Sequence, residues 1–352
     1  MKQTPTTICY FGIYEPVAPR DKVYLAGLKS LGVSVVSCVD NSSGFRKFWR
    51  LWKKHRELNV EYDILWVGYL STMLVPLAWL ISRQRIVFNA LDSWYDRAIL
   101  DREMYSRFSP KAWLIWFSDF LAFLLADTVL VESSQQKTFI AKNFFVNPKK
   151  LAVVFTGVDE KVFHPDPSVA KAKDFTAVFR GMFLPATGVL HVIETARILK
   201  NENVKFIIIG WGEPIQAEIT KMITYNSLTN VNLITYFLSP DELRKTMLSA
   251  HVMLGQFGDH ERLSRTIQNK NMEALALGLP LITRDSKSNR EILTDGSNCV
   301  FVPPADPRAT ADAIINLQKD AVLRNKIALG ARATYSEKLT PEILAEQLTS
   351  IL

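Results

Sequence analysis

The chain is poor in the residues that build metal and redox centres. Its 352 residues include three cysteines and five histidines. Cys9, Cys38 and Cys299 lie far apart, and His55, His164, His191, His251 and His260 share no ligand spacing. No structural metal is expected, and free buried thiols suit a reducing cytosol. A GxGxxG fingerprint, a P-loop and a Ser-His-Asp order are absent too. Near the start, one early lysine and the apolar run ICYFGIY, closed by Glu15, read as a strand and not as a secretory leader. Charge is missing from Ile64 to Ser82, nineteen residues, enough to span a bilayer. Gly68 and Pro76 interrupt that run, so a buried strand followed by a helix is the expected reading. Asp119 likewise interrupts WLIWFSDFLAFLLA, Trp113 to Ala126, which reads as a buried or interfacial helix.

What is present fits two domains. The length exceeds one ordinary domain, and 48% hydrophobic residues suffice for two cores. The net charge of +7 is uneven: residues 1–165 hold 21 Lys and Arg against 15 Asp and Glu, the remainder 21 against 20. Apolar strands are expected at Thr6–Gly12, Val33–Cys38, Asp63–Val67, Arg85–Asn89, Thr128–Glu132 and Leu151–Phe155, with helices between them, including Leu70–Ser82. A second alternating half begins at Phe175. Strands alternating with helices imply a parallel sheet covered on both faces, with ligands beyond the strand C-termini. The segment GVDEKVFHPDPS, with Gly157, Pro165 and Pro167, is the expected linker. The domains are set at 1–160 and 161–352, the last helix either staying with the second or crossing back. Ser239 is an expected N-cap, with Pro240 at the first helical position.

The richest stretch runs from Ser264 to Asp285, SRTIQNKNMEALALGLPLITRD. A polar loop with Arg265 leads into a helix from about Gln268 to Leu277, and Gly278 ends it. Lys270 in the first turn and Glu273 share a face. A helix start beside two cations favours a phosphate, and a carboxylate one turn inside can accept hydrogen bonds from a sugar diol. The plain alternative is a solvent-facing helix with a weak Lys270–Glu273 surface pair, about 0.3–0.5 kcal/mol.

KNMEALALGLPLI resembles the nucleotide-binding helix of retaining glycosyltransferases of the GT-B fold, family 4, also called glycosyl transferases group 1. The resemblance continues through DSKSNREILTDGSNCVFVPPADPRATADAI, and GVDEKVFHP matches the family's junction signature. It implies two Rossmann-like α/β domains facing a cleft, with acceptor on the first and a nucleotide-diphosphate sugar, such as a UDP- or GDP-sugar, on the second. Glu273 would then bind the donor ribose. The usual Glu-x7-Glu motif is broken, because Arg265 stands eight positions before Glu273; Glu261 either replaces the first glutamate by another loop path or that role is gone. In RGMFLPATG, Arg180 precedes Gly181, and Thr187 stands where the family has a lysine. Arg265 and Lys270 would take over the donor phosphates. Arg180 is either a donor contact or a strand-end residue in an ion pair, and Gly181 allows close backbone approach. Thr266, Ile267 and Asn269 are assigned to the donor as well. In VFNALDSWYDRAILDR, Asp96 best matches the acceptor side, and it either orients an acceptor hydroxyl or caps the helix that follows; Asp92 reads as a helix cap.

The implied activity is transfer of a hexose to a glycan or lipid-linked acceptor with retention, without metal or cofactor, in polysaccharide biosynthesis. A catalytically weak relative serving as a scaffold subunit is the alternative, and a nucleic-acid binder finds no motif. One further stretch points to a membrane. Phe45 to Leu58, FRKFWRLWKKHREL, carries six Lys and Arg and one acid, with Phe45, Phe48, Trp49 and Trp52 at helical spacing. It reads either as a helix lying in an anionic lipid surface or as an ordinary amphipathic helix packed on the sheet. The first reading makes the protein a cytoplasmic enzyme, peripheral on the inner membrane face.

Overall fold

The computed structural model describes residues 7–15 and 19–352. Thr6, and residues 16–18 of the loop after the first strand, lie outside the described residues. Two compact units are formed, one from residues 1–157 with Leu339–Leu352, the other from Val158–Lys338.

The first unit runs β1 (Thr7–Gly12), α1 (Pro19–Ser30), β2 (Ser34–Val39), α2 (Arg46–Arg56), β3 (Ile64–Val67), α3 (Val75–Ile81), β4 (Arg85–Leu91), a π-helical turn (Asp96–Asp101), α4 (Pro110–Leu125), β5 (Thr128–Val131), α5 (Ser134–Asn143) and β6 (Leu151–Val153). All its strands are parallel, in the order β2-β1-β3-β4-β5-β6. The central strands β3 and β5 are buried throughout, because a parallel sheet has helices on both faces. Alternate residues explain the two cores. Cys9, Phe11, Leu65 and Phe88 point to the side of α2, α3, α4 and α5; Ile8, Tyr10, Trp66 and Val87 point to α1 and the C-terminal helix.

The second unit runs β7 (Phe175–Arg180), α6 (Val189–Ile198), β8 (Val204–Ile209), α7 (Ile215–Tyr225), β9 (Val231–Ile234), α8 (Pro240–Ser249), β10 (Val252–Leu254), α9 (Asn269–Leu277), β11 (Leu281–Arg284), β12 (Val300–Val302), α10 (Pro307–Lys319) and α11 (Ala321–Lys338). The chain then re-enters the first unit as α12 (Pro341–Ile351), which packs on α1. The second sheet is parallel in the order β12-β11-β10-β7-β8-β9. Its strand order reverses between β7 and β10, and ligands of such sheets sit outside the carboxyl ends of the strands at that reversal.

Two Rossmann-like α/β halves are thus present, as the alternation of strands and helices predicts. Ser239 caps α8, and with Glu242 it forms a reciprocal capping box. Ser109, Asp306 and Thr340 cap α4, α10 and α12 by a side-chain acceptor alone, each followed by proline. The expected helix Leu70–Ser82 is shorter: Leu70 has φ of 63°, a 3₁₀ turn covers Thr72–Leu74, and α3 begins only at Val75. Among the described residues, no helix is long and apolar enough to cross a membrane. Cys9, Cys38 and Cys299 are free and buried.

Candidate functional site

Gly181 follows β7, and α9 follows β10. These two strands are neighbours at the reversal of the second sheet, which brings Arg180 next to Glu273, 93 positions away in sequence. Arg180 Nη1 donates to Glu273 Oε1, and its guanidinium lies over the Phe163 ring. Arg180 is a strand-end residue in an ion pair, and its partner is the candidate ribose-binding carboxylate.

Lys270 and Glu273 are both buried. The surface-pair alternative for α9 is therefore wrong, for a stated reason: every residue from Lys270 to Leu277 is buried, because α9 is covered on its sheet side by β11 and on another by α11. Lys270 Nζ sits 3.8 Å from the centre of the Phe179 ring and finds no hydrogen-bond partner in the protein. Burial depresses its ammonium to about 7; Arg180 pushes the same way, and Glu273 opposes. Gly181 leaves room for this group, because a Cβ there would lie 2.9 Å from Lys270 Nζ, and its φ of 156° suits glycine. The second oxygen of Glu273, Oε2, is buried and accepts nothing from the protein. Buried polar atoms are almost always paired, and leaving one bare costs about 1–3 kcal/mol.

The loop ahead of α9 is held from behind. Ser288 Oγ donates to Thr266 O (2.9 Å), and Arg284 Nη1 donates to Gly258 O (2.6 Å). Glu261 lies in a 3₁₀ turn, Glu261–Ser264, and binds Arg265 Nη1 at 2.7 Å. Arg265 is buried, whereas the Glu261 side chain is 85% exposed. Thr266 and Ile267 are buried, Thr266 Oγ1 accepting from Gln268 Nε2 (3.0 Å); Asn269 is exposed as the first residue of α9. Gln268 provides no side-chain cap. Among the described residues, no three His, Cys, Asp or Glu side chains gather as metal ligands would.

Asp96 lies in the first unit, fully buried at the start of the π-helical turn, with its N–H donating to Ser93 Oγ (3.0 Å). Asp92 pairs with Arg97 at 3.0 Å, and Arg97 also donates to Tyr69 OH (2.7 Å). A buried network in this unit escaped the sequence reading. Arg20 donates to Asn89 Oδ1 (2.7 Å), Thr156 Oγ1 (2.9 Å) and two main-chain carbonyls. Asp21 accepts from Asn89, Trp66 and the Tyr69 N–H. It joins α1 to β3, β4 and β5. Each partner lies far off in sequence, so no spacing could reveal it.

Residues 174–320 match the family described as glycosyl transferases group 1. That match lies wholly within the second unit. Its candidate donor residues, from Arg180 to Glu273, all fall inside the matched span. The chain is 27% identical over 176 residues to an alpha-D-kanosaminyltransferase of Streptomyces kanamyceticus, covering 49% of this chain and 44% of that protein. It is 25% identical over 167 residues to an amylovoran biosynthesis glycosyltransferase of Erwinia amylovora, covering 46% and 40%. The chain thus spans less than half the length of these two relatives. The fold is similar to that of Anabaena HepE, solved in complex with UDP and glucose: the TM-score is 0.73 at 15% identity, over 99% of both chains. That likeness concerns fold and extends the GT-B architecture over both units.

Proposed function

We propose that this chain is a retaining, metal-independent glycosyltransferase of family 4 that moves a hexose from a nucleotide-diphosphate sugar to a glycan or lipid-linked acceptor. One observation carries the reading: α9 buries a carboxylate oxygen and an ammonium, Glu273 Oε2 and Lys270 Nζ, that have no partner in the protein and lie beyond the sheet reversal. A ribose diol satisfies the first and a diphosphate the second. That the HepE structure holds UDP, and that the relatives' names describe glycosyl transfer, supports it.

In the proposed reaction the bond from the sugar's anomeric carbon to the diphosphate oxygen breaks, and the acceptor hydroxyl oxygen bonds to the same face of that carbon. The hydroxyl proton goes to the departing phosphate. Negative charge grows on the diphosphate as it leaves, and Arg265, Lys270 and the N–H groups opening α9 oppose it. Arg180 and Gly181, with Thr266, Ile267 and Asn269, complete the donor site. Glu261 holds Arg265 in place by its ion pair, so its role shifts from donor ligand to positioning residue. Asp96 is the proposed acceptor-orienting group.

Thermal shift with UDP- and GDP-sugars tests the donor class; a ligand at a hundredfold excess over its Kd stabilises by about 2.7 kcal/mol. Arg265→Ala is expected to lower kcat more than it weakens binding of the free nucleoside, which has no diphosphate to touch. Turnover should survive a chelator. A strict Mg²⁺ requirement would remove the metal-free picture and direct attention to the carboxylates of the first unit.

We also propose that the enzyme is cytoplasmic and meets an anionic membrane surface through α2. Phe48 and Leu51 anchor α2 in the core, so the aromatic stripe divides. Phe45 and Trp49 instead face outward, 82% and 61% exposed, with Trp52 beside them. Lys53 and Arg56 lie over Trp49 and Trp52. Each cation near such a surface contributes about 1 kcal/mol. Co-sedimentation with anionic vesicles should therefore fall steeply as salt rises, and equal, negligible binding to anionic and neutral vesicles would end the idea.

A further inference from the structure

Helix α4 is apolar on two opposite sides. Ala112, Ile115, Ala122 and Phe123 pack into the first unit. On the opposite side, Trp113, Leu114, Phe117 and Leu124 are each between 49% and 63% exposed. A soluble helix normally places charge there, and a helix apolar all round is normally buried. Lys111 and the buried Asp119 are the charged residues of α4. Neighbouring α3, which packs between α2 and α4, exposes Trp79 and Leu80. Exposed apolar residues thus continue from α2 across α3 to α4, and contiguous apolar surface of this kind marks an interaction site.

Beside α4 lies a groove of about 430 Å³, lined by Trp113 and Trp116 of α4, Phe139 of α5, Phe145, Tyr95 and Arg107, among others. Trp116 is stacked between Phe120 and Phe144, which fixes the groove wall. Cations border the apolar surface. Residues 101–111 carry Arg102, Arg107 and Lys111 with Asp101 and Glu103, and residues 133–158 hold four lysines and no acid. One of those lysines lies at the far end of α4, where Lys150 Nζ donates to Leu124 O and Ala126 O. Apolar surface within a basic rim is the chemistry of an anionic lipid interface: hydrocarbon takes the aromatics, and phosphate takes the cations.

We propose that the outward side of α3 and α4, with the adjoining aromatic groove, is a second membrane-insertion surface, which seats lipid hydrocarbon while Arg107 and Lys111 meet lipid phosphate. The proposal deepens the reading of α2 as an interfacial helix. It assigns to α2 the charge-driven approach and to α4 the apolar insertion.

Flotation with vesicles of phosphatidylcholine, alone or mixed with phosphatidylglycerol, separates the two. Leu114→Ser/Phe117→Ser changes exposed side chains, so folding is kept, and a UDP thermal shift identical to that of the unaltered protein verifies this apart from any membrane. This variant is expected to lose roughly ten- to hundredfold in binding to mixed vesicles, because two large side chains no longer enter hydrocarbon. Arg46→Gln/Lys47→Gln/Arg50→Gln on α2 should lose only the preference for anionic vesicles. Trp fluorescence should be quenched by chain-brominated lipid, and less so in Trp113→Phe. Undiminished binding by the α4 variant overturns the proposal, as does absence of binding by the unaltered protein. A concentration-dependent dimer that the α4 variant abolishes, with vesicle binding unchanged, also overturns it and gives the surface to a second copy of the chain.

Discussion

Glu273→Gln is expected to lower donor affinity or turnover by roughly ten- to a hundredfold. The substitution keeps the size and shape of the side chain and removes its charge. A charge-assisted hydrogen bond to a buried carboxylate is worth about 1.5–3 kcal/mol, which sets that range. Folding should change little. Arg180, which donates to Oε1, still finds an amide oxygen, and its side chain is partly open to water. The prediction therefore separates ligand from structure: kinetics or calorimetry with nucleotide should move, and the urea midpoint should not. Full activity in this variant would remove Glu273 from the donor site. An equal loss of affinity and stability would make it a structural partner of Arg180 instead.

Lys270→Met is expected to move stability and activity in opposite directions. With its ammonium depressed from the ordinary 10.5 to about 7, folded Lys270 binds fewer protons than unfolded Lys270 between those values. The contribution of Lys270 to wild-type stability should then rise with pH across that window and be lowest below pH 7, where the full charging cost is present. Methionine removes the buried charge. The variant should be more stable at neutral pH by an amount on the order of a few kcal/mol, with a flatter pH dependence from 7 to 10. Turnover should collapse, since the growing charge on the diphosphate loses one of its proposed cations. The same linkage predicts proton uptake on binding. A diphosphate beside Lys270 restores the ammonium, so UDP binding at pH 8 should take up close to one proton. Affinity should weaken by up to about tenfold per pH unit above 7. Calorimetry in buffers of different ionisation enthalpy reads that proton directly. Zero uptake with pH-independent affinity would mean that Lys270 does not meet the phosphates.

The distribution of charge explains why these effects gather on one helix. Arg265 is held by Glu261, and Arg180 by Glu273, but the ammonium of Lys270 has only an aromatic face. A cation–π contact compensates part of the cost of burial and leaves the hydrogen-bonding capacity of the ammonium unused. A site that binds an anion gains from this arrangement, since the ligand recovers what folding gave up.

The sequence by itself determined the alternation of strands and helices, the parallel sheets, the capped start of α8 and the candidate residues Lys270 and Glu273 on one turn of α9. These follow from local pattern: apolar runs, helical spacing, a cap followed by proline and a glycine stop are all readable within a dozen residues. Only the tertiary structure decided how that turn is buried and paired. Burial of α9 depends on β11 and α11, and the Arg180–Glu273 pair depends on β7 lying beside β10, so neither can be inferred from spacing. The same holds for α2, where packing sent Phe48 and Leu51 inward and Phe45 and Trp49 outward. It holds for α4, whose composition allowed a buried or an interfacial helix. Hydrophobic periodicity reports which residues avoid water, but the neighbours of a helix decide which of its sides the fold covers.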